Sequence, residues 1–296
     1  MSWNIAFGHG YGSDGSGFKP QTKQDIETSL DRIAALIVSQ NADIVLIQEI
    51  DFESDRSHRI RQDVYLAGKT GLGYVAKAIT WDANYVPFPY WPVSRHFGMV
   101  NSGGIILSRF PLSKANTQLL PKPENNGFLY NAFYLFRYHQ TASVTVNGND
   151  YVLVNNHLEA FDVANRMDQA RSLANTVRSL GDENLLAFGG DFNSLPVLAS
   201  TKRGFADSKQ EDFATDSTLA IIDAVPGYRE AISPNQFTAA ESDFHTFPAH
   251  APNRRLDYIF IADSVEIIES AVIPTGNLSD HLPVVVKVVL TQPSGE

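Results

Sequence analysis

Short apolar runs, each stopping at a carboxylate, an amide or an imidazole, constrain this 296-residue chain more than any other feature. IVLI ends in Gln48-Glu49, YVLV leads into Asn156-His157, and LLAFGG stops at Asp191. Such runs suit strands covered on both faces. Strands are expected over residues 1–7, 43–49, 103–108, 131–138, 142–147, 151–157, 184–190, 256–261, 265–273 and 283–290. Between the first two, Ile26, Leu30, Ile33 and Ile37 recur at helical spacing behind a Thr22-x-x-Asp25 capping box. A second helix is expected over 163–180, with Ala164, Met167, Ala170, Leu173, Ala174 and Val177 on one face. Asn147-Gly148-Asn149 joins two alternating runs as a hairpin turn. Crossovers and hairpins together predict one α/β domain over residues 1–296, with mixed sheets rather than a doubly wound parallel one. Three segments read as long loops: Gly8–Gly17, the aromatic Trp81–Trp91, and Leu198 to Ala214.

Composition narrows the chemistry. With no cysteine, any metal must sit on oxygen or imidazole ligands, and disulfides and thiol nucleophiles are excluded. No apolar run approaches the roughly 18–20 residues of a membrane span. No leader pattern precedes the first strand, so cytosol and export after leader removal both fit. The formal charge of −10 argues against a tight binder of nucleic acid, which draws its affinity from basic side chains. No feature points to a protein partner, and a monomer is expected.

Six polar clusters stand at or inside the strands: Trp3-Asn4, Gln48-Glu49, Asn156-His157, Asp191-Phe192-Asn193, Leu256-Asp257-Tyr258 and Ser279-Asp280-His281. Charged groups there are unfavourable unless paired or metal-bound, so one shared site is the economical explanation. Each has a plainer reading alone. Glu49 can be a capping carboxylate, Asp191 an Asx-turn, His157 a core histidine, and Asp257 a partner for Arg254 or Arg255.

In order, these motifs (WN, QE, NHL, GDFN, LDYIF, SDHLPV) closely resemble the endonuclease/exonuclease/phosphatase superfamily, and in particular its small bacterial members. The resemblance covers nearly the whole chain and implies a four-layer α/β sandwich, two mixed sheets packed face to face with helices outside. It further implies Glu49 as the principal metal carboxylate, with Asn4 and Asp280 beside it. Asp191 resembles the residue that activates the attacking water, and Asn193 the one that holds water or phosphate. His281, fixed by Asp257, matches the donor to a phosphate oxygen. His157 matches the second histidine of the diesterase branches, and Gln48 a supporting residue. Oxygen ligands favour Mg²⁺ or Mn²⁺.

Other signals are weaker. Gly8-His9-Gly10-Tyr11-Gly12 lacks dinucleotide spacing and reads as a loop bordering the site. Arg56, Arg59 and Arg254 are candidate anion contacts, and Tyr85 and Trp91 candidate stacking residues. Arg166 and Gln169 are expected to brace the strand end at His157, and His245–Pro248 to be architectural. The resemblance implies a metal-dependent phosphodiesterase, an endonuclease among the options for a nucleic acid substrate; the alternative is a phosphatase or phosphodiesterase for a small or lipid-linked phosphate such as an inositol phosphate or sphingomyelin. A catalytically inactive binding protein of the same fold is the reading from a different class.

Overall fold

A computed structural model describes residues 1–10, 21–181 and 184–290. Its chain forms two six-stranded mixed sheets. The first contains β1 (Ser2–Asn4), β2 (Ile44–Asp51), β3 (Tyr74–Val86) and β4 (Gly98–Ser108). The second contains β5 (Leu112–Leu119), β6 (Tyr138–Val146), β7 (Asn149–His157), β8 (Leu185–Asp191), β9 (Tyr228–Glu230) and β10 (Asp257–Ala262). The last two strands, β11 (Glu266–Val272) and β12 (Val284–Val289), return to the first sheet, giving the orders β11-β12-β1-β2-β4-β3 and β5-β6-β7-β8-β10-β9. The helices are α1 (Lys23–Ser39), α2 (Gln62–Thr70), α3 (Phe128–Phe133), α4 (Val163–Leu180) and α5 (Thr218–Asp223), followed by a short turn of helix at Pro234–Ala239. Among the described residues no helix is long and apolar enough to cross a membrane.

The unbroken apolar runs follow from this layering. In β2 and β4, Val45, Ile47, Ile105 and Leu107 face Ile26, Leu30, Ile33 and Ile37 of α1. Their neighbours Leu46 and Ile106 turn the other way, into a core shared with Leu153, Leu186 and Ile259 of the second sheet. On the far side, α4 packs Ala170, Leu173 and Val177 against Val152, Val154 and Phe188. The inner strands β2, β4, β7 and β8 are thus covered on both faces, so period-two alternation is absent from their sequences. α1 starts with the expected capping box, Thr22 Oγ1 accepting from Asp25 N and Asp25 Oδ2 from Thr22 N. The hairpin turn also forms, with φ of 50° at Asn147 and 83° at Gly148.

Four expectations need correcting. Residues 131–138 are not a strand: Asn131 N and Tyr134 N donate to Gly127 O and Tyr130 O, forming α3, and pairing begins only at Tyr138. Their aromatic residues have high strand propensity, but tertiary context overrides it. The first strand ends at Asn4, because Ala6 and Phe7 adopt φ of 45° and 56° and turn the chain away. Trp81–Val86 belongs to the 13-residue β3, so the aromatic loop is shorter than expected. On α4, Ala164 is exposed, and Arg166 and Gln169 take buried positions instead.

Two details aim the strand ends. Against β4 the register of β2 slips between Ile47 and Ile50, a bulge in which Glu49 adopts φ 53°. In β8, Gly190 has φ 147°, and a Cβ there would lie 1.9 Å from Asn156 O. Only glycine lets β8 run that close to β7 with Asp191 beside His157. Gly190→Ala should therefore lower unfolding free energy by about 2 kcal/mol or more. Urea denaturation measures this; a loss under about 0.5 kcal/mol would contradict the close approach.

Candidate active site

Sheet register builds the site. His157, Asp191 and Asp257 are directly paired across β7, β8 and β10, so three ionisable side chains stand abreast at one end of the second sheet. The first sheet supplies Asn4 and Glu49 from the ends of β1 and β2, and Asp280 and His281 precede β12. Trp3 Nε1 donates to His281 O at 2.9 Å and Ser279 Oγ to Asn4 O at 2.7 Å, tying that segment to β1.

Asp191 is the hub. Its Oδ2 accepts from Asn4 Nδ2 at 3.1 Å and lies 3.5 Å from His157 Nε2 and 3.6 Å from His281 Nε2. Its Oδ1 accepts from the backbone N–H of Asn193 at 2.9 Å. Burial, with Asp257 acting the same way, pushes its carboxyl up to about 6 against the pull of His281, Asn4 and Asn193. Asp257 Oδ2 holds His281 Nδ1 at 2.8 Å, with Phe247 packed on the ring. Burial opposes a charge on His281, but the carboxylates of Asp257, Asp191 and Asp280 outweigh it and hold the imidazole well above its ordinary pKa.

His157 is the opposite case. Burial, then the charges of Arg137 and His281, hold it well below its ordinary pKa. Arg137 Nη1 donates to His157 Nε2. A guanidinium only donates, so Nε2 is the acceptor and the ring hydrogen sits on Nδ1. Arg137 was missed in the sequence because it lies where a strand was expected. Its buried guanidinium also approaches Tyr134 Oη at 3.4 Å and Glu159 Oε2 at 3.7 Å. Only contacts with β7 and its following loop reveal it, and no local spacing signals that. Arg166 and Gln169 do brace this loop, Arg166 Nη1 donating to Glu159 O at 2.8 Å and Gln169 Oε1 accepting from Glu159 N at 2.8 Å.

Glu49 lies 3.9 Å from His157 Nε2 and keeps 24% of its side chain exposed. Its carboxyl is pushed up to about 7, by burial first and then by Asp280 and Asp191, with Arg137 and His281 acting the other way. A carboxylate raised by two neighbouring carboxylates fits a divalent cation, whose charge would relieve the repulsion. Asp191, Asp257 and His281 also bring ligand atoms within 4.8 Å of one another. There His281 Nδ1 is already bonded to Asp257 and the ring is cationic, which suits a hydrogen-bonded triad better than a metal. Asn4 Oδ1 accepts from Ala6 N at 3.0 Å, leaving it one lone pair for a cation. Asn193 Nδ2 is anchored to Leu158 O at 2.9 Å. Gln48 reaches between the sheets, its Nε2 donating to Asn155 Oδ1 at 2.7 Å.

The candidate anion contacts fare differently. Arg56 is 3% exposed, bonded through two nitrogens to Asp51 and stacked on Phe7, so it is an internal ion pair rather than a free phosphate contact. Arg254 is likewise buried, paired with Asp207 and Glu211 and flanked by Phe205 and Phe247. The exposed Arg59 pairs with Asp55. Tyr85 hydrogen-bonds His96, and Trp91 is 81% exposed. Of the glycine-rich loop, residues 11–17 lie outside the described residues; Gly8 and Gly10 have φ of 70° and 63°.

Comparison with known proteins gives a consistent result. The model of the endonuclease/exonuclease/phosphatase family matches residues 1–281. No curated protein matches the chain. Among solved structures, an endonuclease/exonuclease/phosphatase from Beutenbergia cavernae is similar at TM-score 0.67 and 20% identity, over 98% of this chain and 70% of that one. A mannosyl-6-phosphatase from Bacteroides thetaiotaomicron is similar at TM-score 0.61 and 16% identity, over 98% of each chain. The human Nocturnin catalytic domain gives TM-score 0.61 and 16% identity, over 98% and 92%. Matched by that model across all six motifs, the chain belongs to the endonuclease/exonuclease/phosphatase family of divalent-metal-dependent phosphoester hydrolases.

Proposed function

We propose that this chain is a phosphodiesterase in which Asp191 activates the attacking water beside a divalent cation held by Glu49 and Asp280, with Asn4 alongside. One observation carries the reading. A buried carboxylate with its pKa near 6 is ringed by two histidines of opposite protonation state. A base is most useful with a pKa near the working pH, which suits Asp191.

Water bonded to Asp191 Oδ2 gives up a proton to that carboxylate as its oxygen attacks phosphorus in line with the leaving group. The P–O bond opposite breaks. Non-bridging oxygens face the cations of His281 and Arg137, whose positions are fixed in advance by Asp257 and by His157 with Glu159. Asn193, anchored through its Nδ2, keeps its amide oxygen to accept from the water. Mg²⁺ or Mn²⁺, when bound, supplies charge compensation for the phosphate and the departing oxygen. His157 serves here as the seat of Arg137, since its Nε2 is an acceptor. Proteins of the same fold include one named a mannosyl-6-phosphatase, so the monoester p-nitrophenyl phosphate belongs beside the diester in any assay.

Hydrolysis of bis-p-nitrophenyl phosphate should require Mg²⁺ or Mn²⁺ and stop with EDTA. Asp191→Asn and His281→Ala should each reduce turnover at least ~100-fold with unchanged circular dichroism. Near-normal rates in either variant reject the assigned roles, and faster turnover of the monoester makes the protein a phosphatase. Glu49→Gln should raise the metal concentration for half-maximal rate at least ~10-fold.

The triad has a stability signature. His281 binds its proton more tightly folded than unfolded, so the resulting stabilisation is complete below the unfolded value of about 6.5. It is lost as pH rises through the folded value. In metal-free buffer, wild type should lose more stability than His281→Gln between about pH 7 and about pH 10, read as urea midpoints. Parallel losses would show that the charged pair is absent.

A further inference from the structure

Exposed aromatic rings gather at one end of this molecule. Of the nine exposed Phe, Tyr and Trp side chains among the described residues, eight project from the site end of β3, from the β3–β4 and β5–β6 connections, or from the loop after β7. That is the end where Glu49, His157 and Asp191 stand. The first two connections belong to neighbouring edges of the two sheets and are joined where Phe136 N donates to Thr80 O at 3.0 Å.

The rings form a path that starts at the phosphate-facing groups. Arg137, seated on His157, approaches Tyr134, whose hydroxyl donates to Glu159 Oε1 at 2.8 Å. Tyr134 packs on Tyr130 with centroids 5.2 Å apart. Burial raises the Tyr130 hydroxyl pKa, and the next largest influence is Tyr90, from the opposite loop. Tyr90 meets Phe88 edge to face, and next to it stands Trp91. Tyr90 is 68% exposed, and Phe161 on the β7–α4 loop is 79% exposed. Tyr130 braces Tyr134 and Phe88 braces Tyr90, while Tyr90, Trp91 and Phe161 leave most of their surface open to solvent.

We infer that this shelf, Tyr134 and Tyr130 beside Arg137, is a subsite for a planar uncharged ring carried by the phosphoester, of the nucleobase type. The inference rests on the phosphoesterase reading and gives it a substrate class: a single nucleotide-type ester, in preference to a sugar phosphate, an inositol phosphate or a long polynucleotide. Stacked rings recognise a base through its π-face whatever its identity. A charge of −10 disfavours a polymer of phosphates, but not one phosphate met by one guanidinium. The same charge disfavours docking on an anionic leaflet. The Tyr134 hydroxyl, tied into the Arg137–Glu159 network, also points to a ligand reaching the phosphate site, rather than to a lipid surface.

The test compares adenosine 5′-monophosphate with ribose 5-phosphate, which differ only in the base, by calorimetric titration of the full chain with Mg²⁺. The nucleotide should bind about tenfold tighter or better, and Tyr130→Ala should erase most of that advantage without changing ribose 5-phosphate affinity. Equal affinities, or equal weakening of both ligands, overturn the subsite. So does loss of phosphatidylcholine vesicle binding in Tyr130→Ala with the nucleotide preference intact, which assigns the rings to a membrane. Turnover of bis-p-nitrophenyl phosphate without a nucleotide preference rejects the shelf alone. Absence of both turnover and ligand binding rejects the phosphoesterase reading as well.

Discussion

The carboxylate of Asp191 is the contact on which the rest of the arrangement depends. Around it meet Asn4 from one sheet, His157 from its own, and His281 from the segment that returns the chain to the first. Buried among apolar strands, such a group would be strongly destabilising without its partners. The backbone N–H of Asn193, the amide of Asn4 and the charge of His281 offset that penalty and leave a carboxyl with its pKa near 6. Stability and reactivity therefore draw on the same hydrogen bonds.

Opposite electrostatic states of the two histidines follow from which neighbours each has. His281 is surrounded by carboxylates and keeps its proton. His157 faces a guanidinium and remains neutral. Two identical side chains, both buried, are thereby differentiated by a guanidinium beside one and three aspartates around the other. This division places a cation on one flank of Asp191 and, on the other, a neutral ring that seats Arg137.

Much of this was legible from the sequence, and the reasons are local. The capping box and helical spacing of α1, the apolar runs of β2 and β8, and the Asn147-Gly148 turn each encode their structure within a few residues. Glu49, Asp191, Asp257 and His281 stood out because polar residues interrupt buried strands there. What escaped detection depends on distant partners. β5, reading LSKANTQL, is an edge strand with little apolar periodicity, and the 13-residue β3 carries exposed Tyr74 and Ile79. Arg137 is an ordinary arginine until β7 brings His157 to it, and Arg56 looks available until Asp51 and Phe7 enclose it.

The bulge in β2 has a consequence for how the chain finds its pairing. Val45, Ile47 and Ile50 all point at α1, three positions separating the last two, because one residue is accommodated out of step. Were the strand to run without interruption, the carboxylate of Glu49 would swing beneath that helix and Ile50 would replace it at the mouth of the cleft. Misaligned pairing would thus bury a charge against hydrocarbon, an arrangement that disfavours itself. The kink acts as a key for alignment: the geometry that turns the Glu49 carboxylate toward the cleft is also the one that keeps it out of the oil.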